Sequence, residues 1–591
     1  MEQPQRFLGK RPTIHCRLLL YIIRRAGDVN TLNTARDWFV FQTRSAFCIY
    51  LHIMATDGKK VTITYCDDYG IWPQIANELS LRLPLRNLQW RSTQRPTRAI
   101  QSLDVDINPF SFEIIPQRMM SMHTPYLNIY FVNCSDNESY KNTVKSQIKA
   151  WVDVVTLKKN QEWLIVYVPN QDTKKANNFL SMKTSIYDKI KADFNVGKRD
   201  RCTQLRFVDS ETPESEAWSD FISKMKDGIT TSFDLHVIQY EEDIRRLDSQ
   251  RQMPGWNYCT FFILKEGLAQ AFETMNLYEE ALIQYDELEA SFFQVLRDKA
   301  LAWFGHFGGV DPGDDSANVL DFRKKPYREL ITQNTISVFD FRSYLFARQC
   351  RMLSRLQRPT DICMRAQVFI SSFTTSIREN KQYLSENFLE SWVFSACMNI
   401  VNECETLAGV IDKEEDSWRV PYNEAKANLL HVARKQLDKI GVGCKHLPAE
   451  LPFIMYLENN NPVLENLEDS SAIVKESMSN PKLLEAIESV EAFDKMYMAL
   501  STRAIKSYDA CGRTRAALHV HGDIASLKYV RQKYDEAVRI FESMTRRYGE
   551  QGWNTIENCL LLKCADAQKQ LGHIRKYPLF AMILIIFMPM K

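Results

Sequence analysis

The 591-residue sequence has no CxxC pair among its fourteen cysteines and no His/Cys cluster at zinc-finger spacing. That excludes the common structural zinc sites, and thiols scattered in this way read as reduced core residues of a cytosolic protein. HExxH, GxSxG, the kinase signature and the EF-hand loop are all missing, so the familiar catalytic and calcium-binding classes have no motif here. Apolar runs stay short: Leu18–Ile23 and Leu579–Met590 fall well below the roughly 20 residues that cross a bilayer. Charge of one sign is not in excess either. The net value of +2 calls for neither nucleic acid nor an anionic membrane.

Glycine is missing where a nucleotide-binding fold would need it. The turn after Val168 (PNQDTKKANNFLSMK) and the turn after Cys134 (SDNESY) contain none. The clustered glycines, Gly305, Gly308, Gly309 and Gly313, lack a following Lys-Ser/Thr, so both requirements of a phosphate cradle fail. The close histidine pair, His519 and His521, is two residues apart and does not share a helix face. We therefore nominate no catalytic, cofactor-binding or metal-binding residue and expect no cofactor.

Apolar residues make up 45% and charged residues 25%, the balance of a soluble globular chain long enough for two or more domains. The stretch that organises it is Tyr258–Phe293. Phe261, Leu264, Leu268, Phe272 and Met275 share one helical stripe, and after Asn276 so do Tyr278, Ala281, Tyr285, Leu288 and Phe292. Spacings of three and four predict two amphipathic helices, and the short turn between them makes them antiparallel. Lys533–Tyr548 repeats the rhythm with Tyr534, Ala537, Phe541, Met544 and Tyr548. A small Ala beside aromatics is the device of the tetratricopeptide repeat (TPR), and predicts an α-solenoid of TPR-like hairpins.

Taken in order, residues 1–55 have no sustained period and read as a poorly defined extension. Residues 56–232 read as an α/β domain: strands at Val61–Tyr65, Tyr126–Cys134, Trp163–Val168 and Thr203–Val208, with helices at Trp72–Leu83, Glu138–Leu157, Ser185–Phe194 and Trp218–Ile229. That alternation predicts a small parallel sheet. Residues 233–576 read as the helical solenoid. They begin with a helix at Asp234–Gln252 and are interrupted by two loops, a mobile one from Gly305 towards Ser337 and another at Gly441–Asn466. A continuous helix is expected at Lys482–Tyr508. Residues 577–591 form an apolar tail with no polar capping face, which suggests an aberrant, truncated terminus; regular text beginning after Met54 likewise suggests a native start there.

Several blocks then point to one family. PYLNIYFVNCSDNESYKNTVKSQIKAW, EWLIVYV, TSIYDKIKADF, Arg201-Cys202, MPGWNYCTFFILKEGLAQAFE, YEEALIQYDELEA and DFRSYLFARQCRMLSRLQRP together resemble the subunit 10 family of the transport protein particle (TRAPP), whose yeast member is specific to the TRAPP II complex. The resemblance runs from about Thr56 to Arg575. It implies a non-catalytic scaffold in a complex that tethers vesicles and exchanges nucleotide on Rab-family GTPases at the Golgi. The implied partners are other TRAPP subunits and, through the complex, a Rab GTPase and the trans-Golgi membrane. The chain stops before the β-sandwich region that the family carries. Two other readings are a TPR-like peptide-binding adaptor, which needs a groove lined by Lys and Asn, and an enzyme on the α/β domain, which needs polar groups converging near Asn170 or Asp209.

Overall fold

A computed structural model describes residues 60–92, 95–111, 124–159, 161–169, 185–195, 199–205, 216–297, 304, 306–411, 417–448 and 478–572. The expectations for residues 1–55 and 577–591, and for a start at Met54, lie outside these residues. Within them the strands are β1 (Val61–Asp67), β2 (Leu85–Trp90), β3 (Arg98–Leu103), β4 (Val105–Pro109), β5 (Leu127–Val132), β6 (Trp163–Tyr167) and β7 (Cys202–Gln204). Five of them make a wholly parallel sheet in the order β4-β1-β5-β6-β7. The expected parallel α/β domain is therefore present. β5 and β6 are buried along their whole length, as strands covered on both faces must be.

Each face of the sheet has its own helical cover. Tyr130, Val132, Ile165 and Tyr167 face Ile148 and Trp151 of α2 (Lys145–Lys159), which follows α1 (Trp72–Leu81) and precedes α3 (Ile186–Phe194). The opposite face joins an apolar cluster that runs from Val61 and Ile63 through to Leu527 deep in the helical half. Sheet and solenoid thus share one core. The element that crosses between them is α4 (Glu216–Ser249), 34 residues long, where the sequence suggests separate helices at 218–229 and 234–252. Its first half packs on β5, β6 and β7, and its second half on β2 and the next helix. The position 232/233, at which the sequence divides the chain, falls inside it.

The helical half continues with α5 (Tyr258–Thr274), α6 (Tyr278–Arg297), α7 (Tyr327–Thr332), α8 (Val338–Arg355), α9 (Pro359–Glu379), α10 (Phe388–Ala408), α11 (Arg419–Gly443), α12 (Pro481–Ala486), α13 (Val490–Ala510), α14 (Thr514–Val530), α15 (Tyr534–Glu550) and α16 (Asn554–Gln570). Successive helices pack side by side as hairpins, with Ala281, Tyr285, Ala537 and Phe541 all within 1% of full burial. The turns repeat one backbone device. Asn276, Gln357, Gln532, Gly512 and Gly552 each take a left-handed φ between 56° and 74°. In each turn the following N–H bonds back into the last helical turn, as Leu277 N does to Phe272 O at 2.9 Å and Lys533 N to Lys528 O at 2.9 Å. These are Schellman stops, which satisfy the orphaned carbonyls of a helix end.

Three further expectations need correction. The segment from His306 to Ile336 is not a mobile loop but a packed strap. Asp314 and Asp315 are 2% and 5% exposed. Lys324 binds Asp314 at 2.9 Å; Ser391 Oγ and Ser479 N donate to Asp315 at 2.6 and 2.9 Å. The polarity that reads as a surface loop is spent on these internal partners. The continuous helix expected over Lys482–Tyr508 is broken, because Ser489 caps α13 by accepting from Ala492 N at 3.1 Å. The loop expected at Gly441–Asn466 begins later, since α11 runs to Gly443; residues 449–477 lie outside the described set.

Candidate functional site

In an open parallel sheet, ligands bind beyond the carboxyl ends of the strands, where the strand order reverses. Here that point is the end of β1, between β4 and β5. It is occupied by the chain's own carboxylates. Asp67 Oδ1 accepts from Tyr69 N at 3.2 Å and Ile71 N at 3.0 Å, and its Oδ2 accepts from Trp72 N at 2.7 Å. Asp68 accepts from the Tyr130 hydroxyl at 2.7 Å. The Tyr65 and Trp72 rings stack at 4.1 Å. After β5, Asp136 accepts from Glu138 N at 3.0 Å and Ser139 N at 2.8 Å; these bonds, that from Ser139 N foremost, hold its carboxyl below the usual range. The amide donors that would cradle a phosphate are thus already paired with carboxylates, at the start of α1 and in the helical turn Asn137–Ser139 after β5. Asn170 and Asp209, where an enzyme would show its polar groups, lie outside the described residues. Among the described residues no group of three or more His, Cys, Asp or Glu side chains could hold a metal ion. His519 sits half-exposed, 3.5 Å from Asp523, and not beside a ligand set.

The most elaborate polar construction is a weld between the two halves. The β2–β3 hairpin, which sequence reasoning missed, lies against α4 and α5. Trp90 is fully buried, its ring 5.0 Å from Phe233 of α4 and 5.8 Å from Phe272 of α5. Its indole N–H donates to Asp234 at 3.1 Å. Arg95 reaches Glu241 of α4 at 2.7 Å and Glu280 of α6 at 2.5 Å, and Arg98 takes the other oxygen of Glu280 at 2.6 Å. Asn276 in the α5–α6 turn donates to Ser102 O at 2.7 Å. Three helices and the hairpin are therefore pinned by charge-assisted bonds around an aromatic centre. Asn87, with a φ of 57°, breaks the alternation of β2, so Leu85, Leu88 and Trp90 are buried at irregular spacing. That interruption hid the strand from period-two reading.

A second buried network stiffens the start of the solenoid. Arg348 of α8 donates to the Tyr285 hydroxyl at 2.9 Å and pairs with Glu273, while Tyr344 donates to Glu266. Further along, Arg434 of α11, 2% exposed, pairs with Asp523 of α14 and donates to the Tyr497 hydroxyl of α13 at 2.8 Å. Among the described residues no two cysteines form a disulfide, and ten of the twelve cysteines are buried; Cys397 and Cys404 lie on the buried face of α10.

Comparison with known proteins agrees with this architecture. A family model described as trafficking protein particle complex subunit 10-like, N-terminal, matches residues 56–251. A second, the TRAPPC10/Trs130 NTS-like domain, matches residues 461–586. Trafficking protein particle complex subunit 10 of Dictyostelium discoideum is 36% identical over 59% of this chain and 26% of that protein. The Mus musculus protein of the same name is 30% identical over 89% of this chain and 42% of its own length. The complex II-specific subunit 130 homolog of Oryza sativa is 25% identical over 87% of this chain and 50% of its length. The chain thus spans half or less of the length of these relatives. With both family models in place and the α/β-then-solenoid order observed, the chain belongs to the trafficking protein particle complex subunit 10 (TRAPPC10/Trs130) family.

Proposed function

We propose that this chain is a non-catalytic scaffold of the TRAPP II complex, acting peripherally at trans-Golgi membranes where the complex tethers vesicles and exchanges nucleotide on a Rab GTPase. The observation that carries the reading is the weld at Trp90, Arg95, Arg98 and Glu280. A scaffold must hold distant partners at fixed separation, and a hairpin locked onto three helices makes sheet and solenoid one rigid support. The carboxylates that fill the sheet's phosphate position support the non-catalytic part. No helix among the described residues is long and apolar enough to cross a membrane, which is compatible with attachment through partners. The domain division we carry forward is an α/β part from 56 and a solenoid to about 576, joined through α4.

The test is release of a fluorescent nucleotide from a panel of Rab proteins, measured with this chain, with the remaining TRAPP subunits, and with both. The chain alone is expected to release none, and its addition to change which Rab is served. Saturable release by the purified chain would overturn the proposal.

A further inference from the structure

Arg342 of α8 is a buried cation with no carboxylate partner among the described residues. It is 5% exposed, and its two terminal nitrogens donate only to hydroxyls, Ser376 Oγ at 3.2 Å and Ser372 Oγ at 2.8 Å. Phe373, Phe293 and Phe369 surround the guanidinium at 4.5, 5.3 and 5.7 Å from their ring centroids. The other deeply buried arginines differ: Arg348 has Glu273 and Arg434 has Asp523. Glu289 pulls on Arg342 from a distance, but it is engaged by Gln349 at 2.9 Å and Arg365 at 3.5 Å. Burial lowers the Arg342 guanidinium to about 10. An uncompensated buried charge is costly, and cation–π contacts offset only part of that cost.

The hydroxyls that hold Arg342 continue an exposed stripe. Met364, Val368, Ser372 and Ser376 follow one another at intervals of four on α9, one face of the helix. Met364 is 55% and Val368 71% exposed, and Phe293, part of the cage, is 36% exposed. Among the described residues the surface therefore runs from two exposed apolar side chains to a cation that meets it at serine hydroxyls and the Phe293 ring. Exposed apolar residues beside an aromatic and an arginine are the composition of an interface centre.

We propose that this face of α9 is a docking surface for a protein segment that sets two apolar side chains on Met364 and Val368 and delivers a carboxylate to Arg342 past Ser372 and Phe293. The charge argument selects a protein carboxylate over an anionic membrane. Arg342 is a single recessed cation, and the neighbouring Arg365 is already paired with Asp286 at 2.9 Å and Glu289 at 3.5 Å, so the described face offers one buried cation and not the exposed basic cluster that an anionic membrane needs. A planar guanidinium between ring and hydroxyl suits the two oxygens of one carboxylate. The proposal holds whichever assembly the chain enters.

The test places a photo-crosslinking amino acid at Val368 in the full chain, expressed in its own cells, with Met253 as an exposed control site. The crosslinked peptide is expected to come from another protein and to carry Asp or Glu within one helical turn of the attachment point. The informative variant is Ser372→Asp, which supplies the carboxylate from within. It is expected to keep or raise the melting temperature while reducing the Val368 crosslink about tenfold, because the cation no longer needs the partner. Arg342→Met is expected to lose the crosslink and Arg342→Lys to retain part of it. Attachment to a lipid or to a second copy of the chain overturns the proposal. So does attachment to a peptide without an acidic residue, or a crosslink that Ser372→Asp leaves unchanged.

Discussion

At the scale of single residues, two positions decide whether the solenoid closes properly. Gly308 has a φ of +89°, and a Cβ there would lie 2.2 Å from Ser337 Oγ. Gly313 has nearly the same φ, +85°, with its nearest neighbour atom at 4.0 Å. Gly313→Ala should cost about 1–2 kcal/mol of backbone strain, whereas Gly308→Ala adds crowding and should cost about 2–4 kcal/mol. Urea midpoints of the two variants measure the difference, and equal losses would contradict the packed strap. The ionic seam between α11, α13 and α14 gives a pH signature. Burial raises the Asp438 carboxyl to about 6, and burial with Arg434 beside it lowers the His431 imidazolium to about 4. The raised Asp438 contributes stability that is full below its unfolded value near 3.9 and lost as pH rises through 6. The lowered His431 contributes stability that is full above 6.5 and lost as pH falls through 4. In the native chain the two oppose each other across the same window. Asp438→Asn should therefore expose the histidine and make the protein less stable from pH 6.5 down to 4, by about 2 kcal/mol. His431→Gln should make it more stable on the same acidification. Thermal melts of both variants across pH 4–7 check the signs.

At the scale of elements, the turns are the clearest test of how the helices are made. Gly512, Gln532, Gly552 and Gly572 all have a left-handed φ and stand at a period of twenty residues, one helix and its stop. Gln532→Gly should stabilise by about 0.5–1 kcal/mol by removing left-handed strain, and Gly552→Val should cost about 1–2 kcal/mol. Guanidinium unfolding reads both, and a destabilising Gln532→Gly would contradict the assigned turn. This period was open to sequence reading, but the replacement of glycine by Gln532 concealed it. The apolar stripes of α5, α6 and α15 were legible because each faces one core. α4 was not, since it turns from sheet to helix midway and its apolar face turns with it. β4, half-buried at the sheet edge and ending in Pro109, lacked any run of apolar residues to announce it. Nothing in the sequence marked Glu280 as the anchor of Arg95 and Arg98, for partners 182 and 185 residues apart leave no local pattern. Glu280→Ala leaves Arg98 without its carboxylate and Arg95 with Glu241 alone, and should cost about 1–3 kcal/mol. Hydrogen exchange should then quicken first in β2 and β3.

At the scale of the whole molecule, the shared core makes the two halves poor candidates for separate existence. Chains cut at 232/233 would expose Phe233, Val237 and Phe272, which the weld buries, and are expected to aggregate or lose near-ultraviolet dichroism when made apart. Two soluble, cooperatively melting halves would contradict a common core. The same crossing helix has a mechanical consequence. At 34 residues, α4 is about 50 Å long, gripped by the sheet at one end and by the solenoid at the other. A tilt of about 5° at the sheet end displaces the far end by roughly 4 Å over that length. Small repacking beneath β5 or β6 is thereby amplified by leverage, so side chains with no surface exposure could set the distance at which this support presents its partners.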